Sequence, residues 1–161
     1  MTPLLVILMG SKADLAHAKN IAEAAQLFGF EVEMRIGSAH KTAWHVLEML
    51  QTYEADARPK IYITIAGRSN ALSGFTDGCV SAPVIACPPS SEAFGGADIY
   101  SSLRMPSGIA PALVLEPANA ALLAAKMIAI TDSSMRKRVQ AYKAANQQTI
   151  FSDDQEIHPS K

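Results

Sequence analysis

Residues 3–9, Pro-Leu-Leu-Val-Ile-Leu-Met, form an unbroken apolar run that stops at Gly10-Ser11. A run this short and this apolar fits a strand covered on both faces, and such strands belong to parallel sheets flanked by helices. The next segments extend the pattern. Residues 13–28 place Leu15, Ala18, Ile21, Ala22, Ala25 and Phe28 on one helical stripe, and Gly29 can stop that helix. Residues 31–36 alternate, with Val32, Met34 and Ile36 against Glu31, Glu33 and Arg35. That predicts a strand with one wet face at a sheet edge. Residues 42–57 read as a helix with Trp44, Val46, Leu47 and Leu50 facing inward. Residues 60–66 (KIYITIA), 82–87 and 112–116 read as three further strands. Pro117 stands where a helix can begin, and residues 119–130 continue as an Ala/Leu helix that is apolar nearly all round. Asp132 can cap a last helix that carries Met135, Val139 and Tyr142 on one stripe.

Strands alternating with helices predict an α/β fold. It is a single-domain three-layer sandwich around a doubly wound parallel sheet, flavodoxin-like in strand order 2-1-3-4-5, with an extra C-terminal helix. Residues 1–131 make the α/β domain. Residues 132–151 make a helix packed on that domain or on a neighbouring subunit, and residues 152–161 a polar tail. The chain has 161 residues, enough for one domain. It is 49% apolar but only 18% charged, against a usual charged fraction of about 25%. The surplus predicts association, with the helix at 119–130 and the Met135/Val139/Tyr142 stripe lying in subunit interfaces.

Charge excludes several partners. The net charge is −1, so no basic field exists to grip nucleic acid or an anionic membrane. Arg136, Lys137 and Arg138 read as a solvated helix face. The longest apolar stretch, residues 118–130, is too short to cross a bilayer and contains Lys126. Cys79 and Cys87 show no metal-ligand spacing and read as two buried thiols in a reducing cytosol. The apolar start lacks the basic flank of a signal peptide, so a cytoplasmic protein is expected.

In a sheet of this kind ligands bind beyond the carboxyl ends of the strands, where the strand order reverses. The sequence there is Gly10-Ser11-Lys12-Ala13-Asp14 after the first strand and Gly37-Ser38-Ala39-His40-Lys41-Thr42 after the second. Gly67-Arg68-Ser69-Asn70 follows the third, and Cys87-Pro88-Pro89-Ser90-Ser91 the fourth. Glycine lets a backbone approach an anion, and helix starts offer N–H donors. Ser11, Ser38 and Ser69 add hydroxyls, Lys41 and Arg68 add positive charge, and Asp14 can accept from sugar hydroxyls. Helix capping accounts for any one such loop. Three converging on the switch point predict a site for a small phosphorylated molecule. The loops match neither GxGxxG nor GxxxxGK[ST], which disfavours a dinucleotide or ATP. His40 is the sharpest residue, because an imidazole gives and takes protons near neutrality. His17 and His45 read as mid-helix residues and His158 as part of the tail.

Five motifs in order resemble the PurE family of purine biosynthesis: MGSKAD (9–14), SAHKT (38–42), AGRSNALSG (66–74), ACPP (86–89) and SSLRMPSG (101–108). The resemblance runs from Leu4 to about Ile130. Lys41, where the common bacterial branch has Arg, and the GRSN loop are similar to the second branch, class II. That branch takes carbon dioxide directly, and the likeness is greatest to its spirochaete-type members. The resemblance implies a 5-aminoimidazole ribonucleotide carboxylase that works without ATP, biotin or metal. It implies His40 as general acid/base, with Ser11 and Asp14 on the substrate and Asp14 at the ribose. It places Ser38 and Lys41 near the phosphate, and Gly67, Arg68, Ser69 and Asn70 around the base and carbon dioxide. Gly10, Ala39, Pro88, Met105 and Ser107 stand at the pocket edge. It also implies a homo-octamer, with the Met-Pro-Ser-Gly region near subunit contacts. Two alternatives remain: the first-branch mutase acting on the N-carboxy nucleotide, and a non-catalytic nucleotide- or FMN-binding module on the same sheet.

Overall fold

The computed structural model describes residues 1–89 and 95–158. In chain order the elements are β1 (Leu4–Met9), α1 (Leu15–Gln26), β2 (Glu31–Ile36), α2 (Ala43–Glu54), β3 (Lys60–Ile65), α3 (Ala71–Cys79), β4 (Val84–Ala86), α4 (Tyr100–Leu103), β5 (Ala112–Leu113), α5 (Pro117–Ile128) and α6 (Ser133–Ile157). Single 3-10 turns, Lys12–Asp14 and Ala97–Ile99, lead into α1 and α4. The five strands form one sheet in the order β2-β1-β3-β4-β5, and every pairing is parallel. This is the doubly wound, flavodoxin-like topology that the alternation of apolar runs predicts.

Alternate side chains of each strand feed two cores. Leu5, Ile7, Met9, Ile61, Ile63, Ile65 and Ile85 pack beneath α1, α5 and the start of α6. Leu4, Val6, Leu8, Tyr62 and Val84 pack against α2 and α3. All six residues of β1 are buried, which is why its sequence carries no polar residue at all.

The apolar breadth of α5 is largely taken up by this chain's own core. Ala120, Ala121, Ala124 and Ala125 are fully buried, and Leu122, Leu123 and Met127 pack against the same core. Met135 and Val139 are buried too, and the Tyr142 ring lies 5.2 Å from that of Phe28. The expectation that these two stripes face other subunits is therefore corrected: they fill the chain's own core. The apolar residues left outside include Ile130 at the end of that stretch and, elsewhere, Met34, Ile36, Trp44 and Leu47.

Two of those residues correct the reading of α2. Trp44 is 66% exposed and Leu47 38%, while Met49 and Tyr53 join Val46 and Leu50 inside. On β2, Met34 and Ile36 are exposed, whereas Glu33 and Arg35 are half-buried against Tyr53. The Tyr53 hydroxyl donates to Glu33 and accepts from Arg35. β2 is an edge strand as expected, but its polar side is the better covered one.

The last helix is longer than the sequence reading makes it. It runs without a break through Ile157, so residues 152–157 of the expected tail are helical. The remaining tail residues, 159–161, lie outside the described residues. Asp132 caps it as expected, its Oδ1 accepting from Ser134 N–H and Met135 N–H at 2.8 and 2.9 Å. Those bonds hold its carboxyl below the ordinary carboxylate range. A depressed folded-state pKa means stability that is present above the unfolded pKa and is lost as pH falls through the folded one. Asp132→Asn should therefore flatten the acid limb of a melting-temperature profile below about pH 4; a limb of unchanged slope would rule the cap out as a contributor. Arg136 donates to the carbonyls of Ala129 and Ile130 at the end of α5, and Arg138 lies over Gly29. The basic cluster thus closes a helix end rather than offering a field to a polyanion.

Candidate active site

Three loops at the carboxyl ends of β1, β2 and β3 enclose a cleft of about 650 Å³. Gly10, Ser11 and Asp14 line it from the first loop, and Ser38, Ala39, His40 and Lys41 from the second. Gly67, Arg68 and Ser69 line it from the third. These ten residues come together where the strand order reverses, at the place the topology predicts. Ala13, Ala66 and Leu72 also line the cleft; small and apolar, they gave no chemical signal in the sequence.

Each loop is held by its own short-range bonds. After β1, Ser11 Oγ accepts from Ala13 N–H at 3.2 Å, and Asp14 Oδ2 accepts from Ser11 N–H at 3.0 Å and from Ser11 Oγ–H at 3.2 Å. This is a capping box on the turn into α1. The same two residues thus cap the turn and line the cleft. After β2, Thr42 turns back on Ser38. Its Oγ1 accepts from Ser38 N–H at 3.0 Å, and its N–H donates to the Ser38 carbonyl at 2.8 Å. Ser38 Oγ accepts from Lys41 N–H at 3.3 Å. The loop Ser38–Thr42 is closed on itself and presents His40 and Lys41 to solvent. Gly37 precedes it with no room for a side chain: a Cβ would come within 2.7 Å of Val46 and 2.8 Å of Met49. The second loop is thereby pressed onto α2.

The third loop differs. Arg68 has φ 61°, the one positive φ outside glycine among the described residues, which costs about 1 kcal/mol or more for an L side chain. Its N–H donates to Asp98 Oδ2 at 3.2 Å. Asn70 does not line the cleft. It is buried and caps α3, accepting from Ser73 N–H at 3.2 Å and Ser73 Oγ–H at 2.7 Å. Its amide donates to Ser102 Oγ at 2.8 Å. Its side chain is committed to the scaffold, which sets it apart from its three loop neighbours.

The edge residues separate as well. Gly10 and Ala39 line the cleft. Pro88 lines a smaller, mostly apolar cavity of about 270 Å³ that shares Ala66 and Gly67 with it. Met105 lies beside Asn70 in a groove along α3, and Ser107 is exposed outside the cleft. Ser90 and Ser91 lie outside the described residues. Cys87 is fully buried at the end of β4, and burial pushes its thiol up to about 12, so it is no nucleophile at neutral pH. His17 Nε2 lies 3.1 Å from the Cys87 carbonyl oxygen, a structural contact outside the cleft. Among the described residues, no three His, Cys, Asp or Glu side chains gather to hold a metal ion.

The acidic, basic and imidazole side chains of the cleft are Asp14, Lys41, Arg68 and His40. Two permanent cations on facing loops suit an anionic ligand, one carboxylate suits ribose hydroxyls, and one imidazole can move a proton. The family model described as AIR carboxylase matches residues 4–149. The chain belongs to the AIR carboxylase family. It is 60% identical to a Treponema denticola protein named phosphoribosylaminoimidazole carboxylase, over 98% of this chain and 99% of that one. It is 51% identical to an Archaeoglobus fulgidus protein of the same name, over 94% of this chain and 83% of that one. The crystal structure of Treponema denticola PurE superimposes with a TM-score of 0.95 at 60% identity, covering 97% of this chain and 99% of that one. The spirochaete-type resemblance of the motifs is thereby upheld. For an AIR carboxylase family member, the matched span takes in all three cleft loops and most of α6.

Proposed function

We propose that this chain is a 5-aminoimidazole ribonucleotide carboxylase, adding carbon dioxide reversibly to C4 of the nucleotide to give the 4-carboxy product. The carrying observation is the meeting of Ser11, Asp14, Ser38, His40, Lys41 and Arg68 in one cleft. Ser38 and Lys41 bind the phosphate, with Lys41 as a point charge rather than a bidentate fork. Ser11 and Asp14 hold the ribose, and the Gly67–Ser69 loop faces the base and carbon dioxide.

The substrate supplies the nucleophile. Its aminoimidazole is an enamine, so the C4 π electrons attack the carbon of carbon dioxide and one C–O π pair moves onto oxygen. The protein's part is to hold the two in line and to stabilise the growing carboxylate with loop donors. Arg68 N–H already serves Asp98 and Asn70 N–H serves Ser101 Oγ; the Ser69 hydroxyl and the Arg68 guanidinium are among the loop donors that can face that charge. C4 then loses its proton to His40, and the ring regains aromaticity. In reverse His40 protonates C4 and carbon dioxide leaves.

Lys41 and the Gly67-Arg68-Ser69 loop favour direct use of carbon dioxide, the class II reaction, over rearrangement of the N-carboxy nucleotide. Assays with aminoimidazole ribonucleotide plus bicarbonate, and separately with the N-carboxy nucleotide, decide the point. Turnover of the first supports this reading; turnover of the second alone makes the protein a mutase, and nucleotide binding with neither activity makes it a binding module. Both substrate and product are phosphorylated and do not cross membranes unaided, which supports a cytoplasmic enzyme. We further propose a homo-oligomer, an octamer on the family resemblance, supported by the uncovered apolar side chains Met34, Ile36, Trp44 and Leu47. Sedimentation showing a stable folded monomer would overturn that.

A further inference from the structure

The segment Asp98–Ser102 touches the third cleft loop at both of its ends. Asp98 Oδ2 accepts from Arg68 N–H at 3.2 Å. Ser101 Oγ accepts from Asn70 N–H at 3.0 Å and donates to the Asp98 carbonyl at 2.8 Å. Ser102 Oγ accepts from the Asn70 amide at 2.8 Å. From there the contacts continue inward, through Asn70 Oδ1 to Ser73 Oγ and on to Thr64 Oγ1 on β3, 2.8 Å away. Arg68, the residue caught between these grips, is the one in the left-handed region. A backbone in that region persists only where its surroundings over-determine it, and the Asp98 carboxylate accepts from its main-chain N–H.

Asp98 does not line the cleft. It faces the smaller cavity behind Ala66 and Gly67. Its carboxylate therefore acts on the site through Arg68. We propose that Asp98, backed by Ser101, is a positioning residue for the carboxylation step: it holds the Gly67–Ser69 loop in the strained shape that completes the carbon dioxide side of the cleft. Ser101 and Ser102 open the SSLRMPSG motif, so this assigns that motif's first residues a task at the site. The opposite rim, with Ser11, Asp14, Ser38 and Lys41, is built from its own bonds and does not depend on Asp98.

The proposal rests on the carboxylase reading, and one set of measurements separates their failures. Initial rates are taken over nucleotide and bicarbonate concentrations for the full chain, D98A, D98N, R68G and D98A/R68G, with His40→Asn as control and circular dichroism to verify folding. D98A should lower kcat and raise the KM for carbon dioxide, about tenfold together, with the nucleotide KM within about twofold. D98N keeps an acceptor oxygen and should recover part of the loss; being isosteric, it carries the test if the alanine variant does not fold. Glycine takes a positive φ unaided, so in the R68G background removal of the carboxylate should cost no more than about twofold. Equal loss in both backgrounds, a parallel rise in the two KM values, or intact kinetics in D98A overturns the proposal and leaves the carboxylase reading in place. A full chain with no bicarbonate-dependent turnover of the nucleotide overturns that reading itself, and this proposal with it.

Discussion

His40→Asn should fold, bind the nucleotide and lose turnover by about 10²–10⁴-fold, the usual contribution of a positioned acid/base. The expectation combines two observations. His40 is exposed at the tip of a loop closed by Ser38 and Thr42, so its ring supports neither core. It is also the one imidazole among the cleft-lining residues. Asparagine keeps the polarity and approximate size of the side chain but cannot shuttle a proton. Steady-state rates with aminoimidazole ribonucleotide and bicarbonate, together with calorimetric affinity for the nucleotide, check both halves. A variant within a fewfold of wild-type turnover would remove His40 from the chemistry. A variant that no longer binds nucleotide would make His40 a ligand rather than a proton carrier.

The second large effect is on stability. Asn70→Ala should lower it by about 3 kcal/mol, combining a lost helix cap with buried hydroxyls left without partners. Ser73 and Ser102 are both buried, and each meets Asn70 by a side-chain bond no longer than 2.8 Å. For a chain of this length that corresponds to a fall in melting temperature of roughly 6–12 °C. Asn70→Asp keeps the cap acceptor and removes only the donor to Ser102, so it should recover part of the loss. A melting temperature within about 2 °C of wild type in the alanine variant would show that the network contributes little to the fold.

These two residues mark how far the sequence alone could be read. His40 was legible because its position depends only on local matters: a strand end, a short loop and a fold whose topology says where ligands bind. The same holds for Ser11, Asp14, Ser38 and Lys41, whose loop contacts lie within four residues. Asn70 stands in an equally suggestive motif, yet its amide is claimed by Ser102, 32 positions away. No local pattern reports such a partner. Asp98 was invisible for the same reason. Within α2, Trp44 and Leu47 form one apolar pair at helical spacing, and Val46, Met49, Leu50 and Tyr53 form another stripe. Periodicity reveals both but cannot choose between them, because the choice depends on where the sheet lies. The end of α6 reads as a tail from its polarity, although no glycine or proline interrupts residues 133–158 to stop a helix.

The alternation along β2 reads first as an inside and an outside. In the structure it does something else. The strand lies at the rim of the sheet, and one of its sides carries Val32, Met34 and Ile36, two of them open to solvent. A six-residue rim strand with apolar groups on both sides would be a template for another chain to extend the sheet. Glu31, Glu33 and Arg35 interrupt it at every second position. Their charges thus bear on solubility at high concentration and during synthesis, as well as on the contacts that Glu33 and Arg35 make with Tyr53.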